Sequence, residues 1–157
     1  MYQSVQKLVN EIPMDESILI LGRYNYDAFS VGYVFNKGEV NGRPDNIFVN
    51  IGGRKIRFMS VHSAKGLEAD NVIVINCEEG QNGFPSLIED DPILGYVLSE
   101  EDQFEYAEER RLFYVAITRA KRHTFVLYHG DKPSPFIREL TNIVSTQEHI
   151  CPFVSLK

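Results

Sequence analysis

Several absences in the sequence exclude whole classes of protein. Within its 157 residues no apolar run approaches the ~20 residues that cross a bilayer, and the opening MYQSVQKLVN lacks the apolar core of a signal peptide. Only two cysteines occur, Cys77 and Cys151, and neither has a histidine at metal-ligand spacing. We therefore expect a cytoplasmic protein from a reducing compartment, with no membrane partner and no structural zinc.

The sequence also lacks the motifs of a self-contained nucleotide hydrolase or a metalloenzyme. The phosphate-loop pattern Gly-x-x-x-x-Gly-Lys-Ser/Thr is absent, which leaves the Walker B-like run VIVINCEEG without its partner motif. We expect no metal site, because the histidines show no ligand spacing: His62, His123, His129 and His149. The tyrosines and phenylalanines fall mainly in strand and helix patterns, so we expect them in the core rather than as base-stacking surfaces.

The negative charge is concentrated in one segment. The net charge is −6, yet residues 84–109 hold nine acids and no Lys or Arg, which leaves 13 acids against 16 bases elsewhere, a balance of +3. The remainder is mildly basic, which permits a nucleic-acid partner without demonstrating one. An acidic loop at about residues 78–103 is interpreted as a solvated insertion; docking of a protein partner is the alternative.

The apolar pattern predicts alternating strands and helices. Five strands are predicted at Ile18–Leu21, Ile47–Ile51, Ile56–Val61, Val72–Asn76 and Thr124–Tyr128. Helices are predicted at Tyr2–Ile12, Tyr26–Phe35 and Phe104–Ala120, with a short one after Pro133-Ser134-Pro135. The glycine pair in Ile51-Gly-Gly-Arg54 predicts a hairpin turn. This order favours an α/β domain with a largely parallel sheet over residues 1–145, followed by a tail at 146–157.

Two polar clusters follow strands of this predicted sheet. Ligands of parallel α/β sheets collect outside the carboxyl ends of the strands, and we expect both clusters there. The first is Gly22-Arg23-Tyr24-Asn25, and the second runs from Ser60 to Glu68. The second combines hydroxyls, an imidazole, an ammonium group and a glycine. A helix that began at Gly66 would direct its N–H groups at an anion, so phosphate is the expected ligand.

Each of these candidates also has a simpler interpretation. Arg23, after a strand, often only reaches water, and His62 taken alone fits a structural histidine. Glu68 suits a ribose hydroxyl, yet in a first helical turn it would equally complement the helix dipole. The grouping of the residues, rather than any single one, favours a ligand site.

A predicted helix carries one more candidate. In AEERRLFYVAITRAKR, an apolar stripe runs from Leu112 to Ala116, and Arg119 continues it. An arginine on the buried side needs a partner, because an unpaired buried charge costs several kcal/mol. Either Arg119 pairs with an acid, for example Glu68 or Asp70, or it points at a phosphate in a groove.

Together these stretches resemble the C-terminal half of superfamily 1 DNA helicases of the UvrD/Rep kind. ILILGRYNYD is similar to their motif IV, FMSVHSAKGLEADNVIVINCEEG with GFPS to motif V and its continuation, and AEERRLFYVAITRAKR to motif VI. Ala69-Asp70 after Lys-Gly-Leu-Glu, together with NGFPS and KPSPFIREL, resembles the DNA helicase IV branch. Only Tyr24 to Arg57 separate motifs IV and V, so the large helical insertion of many relatives is missing or greatly reduced here.

The resemblance implies the second RecA-like domain of a motor. In the family, ATP binds between two such domains, and the N-terminal domain of the same polypeptide supplies the phosphate loop and the acids that hold Mg²⁺. Arg23 and Arg119 match arginines that stabilise charge on the transferring phosphoryl group. Gly66 and Glu68 match the nucleotide-binding part of motif V, with Glu68 at the ribose.

The same resemblance implies a DNA contact. Ser60, where relatives usually have Thr, and His62 match residues that touch the backbone of single-stranded DNA. The sequence therefore predicts the C-terminal motor domain of an ATP-dependent 3′-to-5′ DNA helicase, which should not hydrolyse ATP without a partner that supplies the phosphate loop. The alternative is a stand-alone nucleotide- or DNA-binding module without hydrolytic activity.

Overall fold

The chain forms one sheet with helices on both faces. The computed structural model describes residues 2–28, 31, 47–86, 106–130, 132–143 and 153–156. Its helices are α1 (Tyr2–Glu11), α2 (Ala107–Ile117) and α3 (Pro135–Ile143), with a 3-10 helix at Val61–Ala64. The strands are β1 (Ile18–Gly22), β2 (Ile47–Ile51), β3 (Arg54–Ser60), β4 (Ala69–Val74), β5 (Ala120–Leu127) and β6 (Phe153–Leu156). No helix in these ranges is long and apolar enough to cross a bilayer.

The six strands lie in the order β2-β3-β1-β4-β5-β6. The four central strands are mutually parallel, whereas β2 and β6 pair antiparallel at the two edges. The predicted α/β class and largely parallel sheet are therefore confirmed. All five predicted strands occur, with the largest boundary shift at β5, which begins at Ala120 instead of Thr124.

Alternation along β1 separates two apolar cores. Leu19 and Leu21 point to the face that α2 and α3 cover, whereas Ile18 and Ile20 point to the face covered by α1. The helices follow the sequence pattern, since α1 buries Val5, Leu8 and Val9 at helical spacing. Both faces of the parallel strands are thus shielded from water, as their continuous apolar runs predict.

One local feature, the hairpin turn, matches the sequence, and one strand was missed. Gly52 and Gly53 both adopt positive φ, 59° and 79°, and close the antiparallel hairpin between β2 and β3. The strand β6 lies within residues 146–157, where only a tail was expected. Its four residues pair with β5, although the domain boundary at 145 stays a prediction. The predicted turn Gly38–Asp45, most of the predicted helix Tyr26–Phe35 and most of the acidic loop lie outside the described residues.

The predicted helix Phe104–Ala120 is shorter than expected at its carboxyl end. It ends at Ile117, where the Thr118 hydroxyl donates a hydrogen bond of 2.8 Å to the Tyr114 carbonyl. Ala120 already belongs to β5, because it pairs with the start of β4. Arg119 therefore lies in the turn between α2 and β5 and not on the apolar stripe of the helix.

One crossover decides where the candidate residues lie. Both β3 and β4 run parallel to β1, on opposite sides of it. The chain that leaves β3 at Ser60 must therefore return to the opposite end of the sheet before β4 begins at Ala69. Residues 61–68 make this return, and Val61 and Ala64 of the 3-10 helix are buried in the core beneath α2.

Candidate functional site: two edges of one sheet

The candidate residues divide between opposite edges of the sheet. Gly22, just before Arg23, pairs with Ser60 at the carboxyl ends of β1 and β3. Arg119 precedes Ala120, which pairs with Ala69 at the amino ends of β5 and β4. The rise from Ala69 to Val74 alone is about 16 Å at ~3.3 Å per residue. The structure therefore does not bring Arg23 and Arg119 together.

This arrangement corrects one expectation from the sequence. Both clusters were expected at the carboxyl ends of strands, but of the second cluster only the part from Ser60 to Ser63 lies there. Gly66 and Glu68 lie at the amino edge, because the crossover has already returned the chain across the sheet. No helix begins at Gly66, whose φ of 82° turns the chain toward β4, so Glu68 has no helix dipole to complement.

At the carboxyl edge, Arg23 forms a tight ion pair with Glu109 of α2. Its Nε donates to both carboxylate oxygens, at 2.9 and 3.0 Å, and its Nη2 donates to Oε1 at 2.6 Å. The two side chains are only 15% and 12% exposed. Arg23 does not simply reach water: the guanidinium has a bidentate partner that is shielded from solvent.

The same guanidinium orients His62. Nη1 of Arg23 lies 3.0 Å from Nε2 of His62. Since a guanidinium can only donate, Nε2 is the acceptor and the proton of the neutral imidazole sits on Nδ1. His62 is exposed, whereas Ser60 is 5% exposed and shares a hydrogen bond of 3.1 Å with Ser63. The exposed groups here are thus the His62 ring and the Ser63 side chain.

Glu109 also anchors the GFPS loop. The backbone N–H of Ser86 donates to Oε2 of Glu109 at 3.0 Å. Phe84 of this loop is fully buried and packs edge-on against Phe113 of α2, with ring centroids 5.4 Å apart. Sequence reasoning missed Glu109, which lies 86 positions from Arg23 and carried no signal beyond its place among other acids.

Asp27 is a buried acid of the carboxyl-edge cluster. It accepts hydrogen bonds from the backbone N–H of Tyr24 at 2.9 Å and from Nδ2 of Asn76 at 3.0 Å. Burial raises the pKa of Asp27 above its usual 3.8, although these hydrogen bonds act in the opposite direction. A largely buried carboxylate thus ties the segment after β1 to the residues after β4.

At the amino edge, Glu68 and Asp70 both have partners other than Arg119. Glu68 is 60% exposed, and its carboxylate lies 3.9 Å from the ammonium group of Lys121. Asp70 accepts hydrogen bonds from the Ser17 hydroxyl at 2.7 Å and the Ser17 N–H at 2.8 Å. These bonds lower the pKa of Asp70 below 3.8. Both acids proposed as partners of Arg119 are therefore engaged elsewhere.

Arg119 itself has only neutral acceptors. Its Nε donates to the Val115 carbonyl at 3.0 Å and its Nη2 to the Thr118 hydroxyl at 3.2 Å. No carboxylate within the described ranges forms an ion pair with it, and the side chain is partly exposed. Of the two alternatives for Arg119, the buried ion pair with Glu68 or Asp70 is therefore wrong. The cation stands at the end of α2, where the carbonyl dipoles favour positive charge.

The expectation that the tyrosines and phenylalanines lie in the core does not hold at two positions. Tyr26 is 48% exposed and Tyr114 is 67% exposed. Both lie in predicted helices, and the sequence pattern does not show which helical positions another element covers. In the residues that the structure describes, no three His, Cys, Asp or Glu side chains group into a metal site.

Comparison with known proteins identifies the family. The model of the UvrD-like helicase C-terminal domain matches residues 40–131, which include Ser60, His62, Gly66, Glu68 and Arg119 and leave Arg23 outside. DNA helicase IV of Escherichia coli (strain K12) is 40% identical over 89 residues, 57% of this chain and 13% of that protein. A probable DNA helicase II homolog of Mycoplasma capricolum is 41% identical over 96 residues, 55% of this chain and 12% of that protein.

One further curated relative agrees with these matches. The ATP-dependent DNA helicase PcrA of Staphylococcus aureus (strain Mu50) is 33% identical over 95 residues, 54% of this chain and 12% of that protein. A solved C-terminal domain of a "possible DNA helicase" from Lactobacillus plantarum WCFS1 aligns with 86% of this chain and 69% of that chain, with a TM-score of 0.49 and 18% identity. The chain spans about an eighth of the length of the curated relatives named above. With more than half of its residues matched, the chain belongs to the UvrD-like helicase C-terminal domain family and has the RecA-like α/β fold that its sequence predicted.

Proposed function

We propose that this chain is the second motor domain of an ATP-dependent 3′-to-5′ DNA helicase, with nucleotide at the amino edge and single-stranded DNA at the carboxyl edge. One observation supports the nucleotide-binding role of the amino edge. The guanidinium of Arg119 is partly exposed and lacks a carboxylate partner among the described residues, while Glu68 lies near the same sheet edge. A cation in this state is available to an incoming phosphate.

The chemistry at this edge is charge stabilisation. As water attacks the γ-phosphorus of ATP and the bond to ADP breaks, negative charge spreads over the transferring oxygens, and Arg119 binds that charge. Glu68 accepts a hydrogen bond from a ribose hydroxyl, and the exposed backbone at Gly66 allows close approach. In this proposal the N-terminal motor domain contributes the phosphate loop and the acids that hold Mg²⁺, so this chain does not hydrolyse ATP by itself.

Arg23 has a different place in this scheme from the one that the motif resemblance suggested. Its guanidinium is bound to Glu109 and His62 at the carboxyl edge, far from Arg119. We therefore assign Arg23 as the positioning residue of His62 and not as a second phosphate-binding arginine. The nucleotide role would require Arg23 to leave a shielded bidentate pair.

The DNA contact is assigned to the Ser60–Ser63 segment. His62 presents the donor Nδ1–H, and the Ser60 hydroxyl supports the exposed Ser63 beside it. Donors of this kind suit phosphate oxygens, which position a strand without reading its sequence. The crossover at residues 61–68 joins the two edges directly, so a shift of Glu68 on nucleotide binding moves a segment that begins at the DNA contact.

The catalytic role of Arg119 is tested with the variant Arg119→Ala in the complete helicase that the proposal requires. We expect the DNA-stimulated ATPase kcat to fall about 10³-fold or more, the size of other arginine-finger effects. Arg111→Ala is the matched control, because Arg111 lies on α2 and pairs at the surface with Glu108. Normal turnover in Arg119→Ala would refute the catalytic role.

A binding module without hydrolysis is the second candidate, since no phosphate loop occurs in the sequence. It is tested by mixing this chain with an N-terminal motor domain of a UvrD-like helicase and measuring ATPase activity with single-stranded DNA. Activity that appears only in the mixture, and is lost with Arg119→Ala, supports the motor domain. Nucleotide or DNA binding without any activity in the mixture supports the module.

A further inference from the structure

Two tyrosines form an ordered stack directly after β1. The rings of Tyr24 and Tyr26 are 4.8 Å apart at their centroids and only 11° from parallel. The guanidinium of Arg23 lies 4.9 Å from the centroid of the Tyr24 ring. Three planar groups therefore occupy one small region of the carboxyl edge, beside the exposed His62 that Arg23 contacts.

Both rings are held in place by their hydroxyl groups. Tyr24 shares a hydrogen bond of 2.6 Å with the Ser86 hydroxyl of the GFPS loop. Tyr26 donates to Oδ1 of Asn82 at 3.1 Å. Partial burial, together with Tyr24 and Asp27, raises the pKa of Tyr26 above 10.0, so its hydroxyl stays protonated and keeps this bond at neutral pH.

The stack is ordered without being buried. Tyr26 remains 48% exposed even though Tyr24 covers one face of its ring and Asn82 holds its hydroxyl. Tyrosines that only fill a core are covered on both faces. An aromatic ring that is fixed in orientation and open to solvent has already lost the side-chain freedom that binding would otherwise cost.

We propose that Tyr26, supported by Tyr24, is a stacking surface for a base of the single-stranded DNA whose backbone passes His62. This inference rests on the DNA contact proposed above and adds a base contact to it. Base–aromatic stacking tolerates every base, because each has a π-face, so the contact fits a motor that moves along DNA of any sequence. The ligand of this surface is therefore an unpaired nucleobase.

The binding test compares two probes that differ only in their bases. Fluorescein-labelled dT15 and an oligomer of the same length made of abasic sites carry the same phosphates. At low salt, where backbone contacts are strong, we expect Tyr26→Ala to weaken binding of this chain to dT15 about fivefold or more. Binding to the abasic oligomer should stay within about twofold. Tyr26→Phe keeps the ring and should bind dT15 as the native chain does.

A matched control and a spectroscopic signal separate stacking from a change in folding. Tyr114→Ala removes the other tyrosine that is exposed among the described residues, on α2, and should leave both affinities unchanged. The sequence contains no tryptophan, so Tyr26→Trp places a single indole at the site. Its fluorescence should be quenched by dT15 and not by the abasic oligomer, whereas the indole of Tyr114→Trp should respond to neither.

The outcomes distinguish the stacking surface from the proposed function. If Ser60→Ala/His62→Ala weakens binding of dT15 while Tyr26→Ala does not and the indole of Tyr26→Trp is unquenched, the stacking surface is wrong and the DNA contact stands. If the native chain binds neither probe at low salt, the DNA contact itself fails and the stacking surface with it. Should Tyr26→Ala unfold, quenching in the folded Tyr26→Trp protein decides.

Discussion

The two edges of this sheet carry similar charged residues in opposite states. At the carboxyl edge, Arg23 is clamped by Glu109 and in turn orients His62, and the exposed fractions of the ion pair are 15% and 12%. At the amino edge, Glu68 and Lys121 are 60% and 57% exposed and 3.9 Å apart, and Arg119 holds only neutral acceptors. The candidate groups at the carboxyl edge are thus held by a shielded ion pair, whereas Glu68 and Arg119 at the amino edge are not.

The difference matches what each proposed ligand requires. His62 and Tyr26 each form a hydrogen bond with a neighbour, so the proposed DNA strand meets groups whose orientations are already set. A group that stabilises charge in a transition state must instead be available when that charge develops. A strong carboxylate partner for Arg119 would compete with the phosphate for the same donors.

The largest effect on stability is expected from breaking the carboxyl-edge ion pair. Glu109→Ala leaves the Arg23 guanidinium shielded and without its carboxylate, and it also removes the acceptor of the Ser86 N–H. Loss of one partner of such a pair costs about 3 kcal/mol or more, which urea unfolding would measure. Glu139→Ala is the control, because its pair with Arg110 is about half exposed and should contribute under about 1 kcal/mol. Equal effects of the two variants would contradict the shielding of the Arg23–Glu109 pair.

The next largest effect is a change in the pH dependence of stability. It is expected from two aspartates whose pKa values shift in opposite directions. Burial raises the pKa of Asp27 at the carboxyl edge, so the folded state holds this proton more tightly than the unfolded state. Its contribution to stability is complete below pH 3.8 and is lost as the pH rises through the folded pKa. Hydrogen bonds from Ser17 lower the pKa of Asp70, so its contribution is present above 3.8 and is lost as the pH falls through the folded pKa.

These signs are tested by urea unfolding from about pH 3 to pH 7. The stability lost on Asp27→Asn should shrink as the pH rises, from about 1–2 kcal/mol at the acid end, where a hydrogen bond in a buried position is lost. The stability lost on Asp70→Asn should grow with pH over the same range. Parallel pH profiles for the two variants would overturn the assignment of burial to one edge and exposed hydrogen bonding to the other.

The smallest effect is expected at the amino edge. Lys121→Ala removes a cation that lies 3.9 Å from Glu68 with both side chains more than half exposed. Such pairs contribute little, and the free energy of unfolding should change by less than about 0.5 kcal/mol. A loss above about 1 kcal/mol would show that this edge is held as firmly as the other.

The strands and the hairpin could be predicted because their signals are local. Runs of Ile and Val form β1, β2 and β4, and two adjacent glycines supply the positive φ angles of the turn between β2 and β3. The helix α3 likewise begins at Pro135, where Ser134 accepts a hydrogen bond from the N–H of Ile137. Each of these features depends on neighbouring residues alone.

The sequence could not predict that the candidate residues lie at opposite edges of the sheet, because their positions depend on the strand order. Ser60 and Glu68 are eight positions apart and look like one cluster. They separate only because β1 lies between β3 and β4, which forces a full crossover. The ion pair of Arg23 with Glu109 likewise joins residues far apart in the chain, and nothing near either residue indicates the other.

The proposal that the two sheet edges bind separate ligands is tested most directly by a DNA titration. It follows the ATPase activity of the complete helicase that the proposal requires. Arg119→Ala should lower kcat about 10³-fold at every DNA concentration while the DNA concentration for half-maximal stimulation stays within about twofold. His62→Ala should raise that DNA concentration about tenfold, the value of a hydrogen bond to a charged group, and reach nearly the native kcat at saturation. If Arg119→Ala instead changed DNA affinity, or His62→Ala lost turnover at saturating DNA, the two edges would not serve separate ligands.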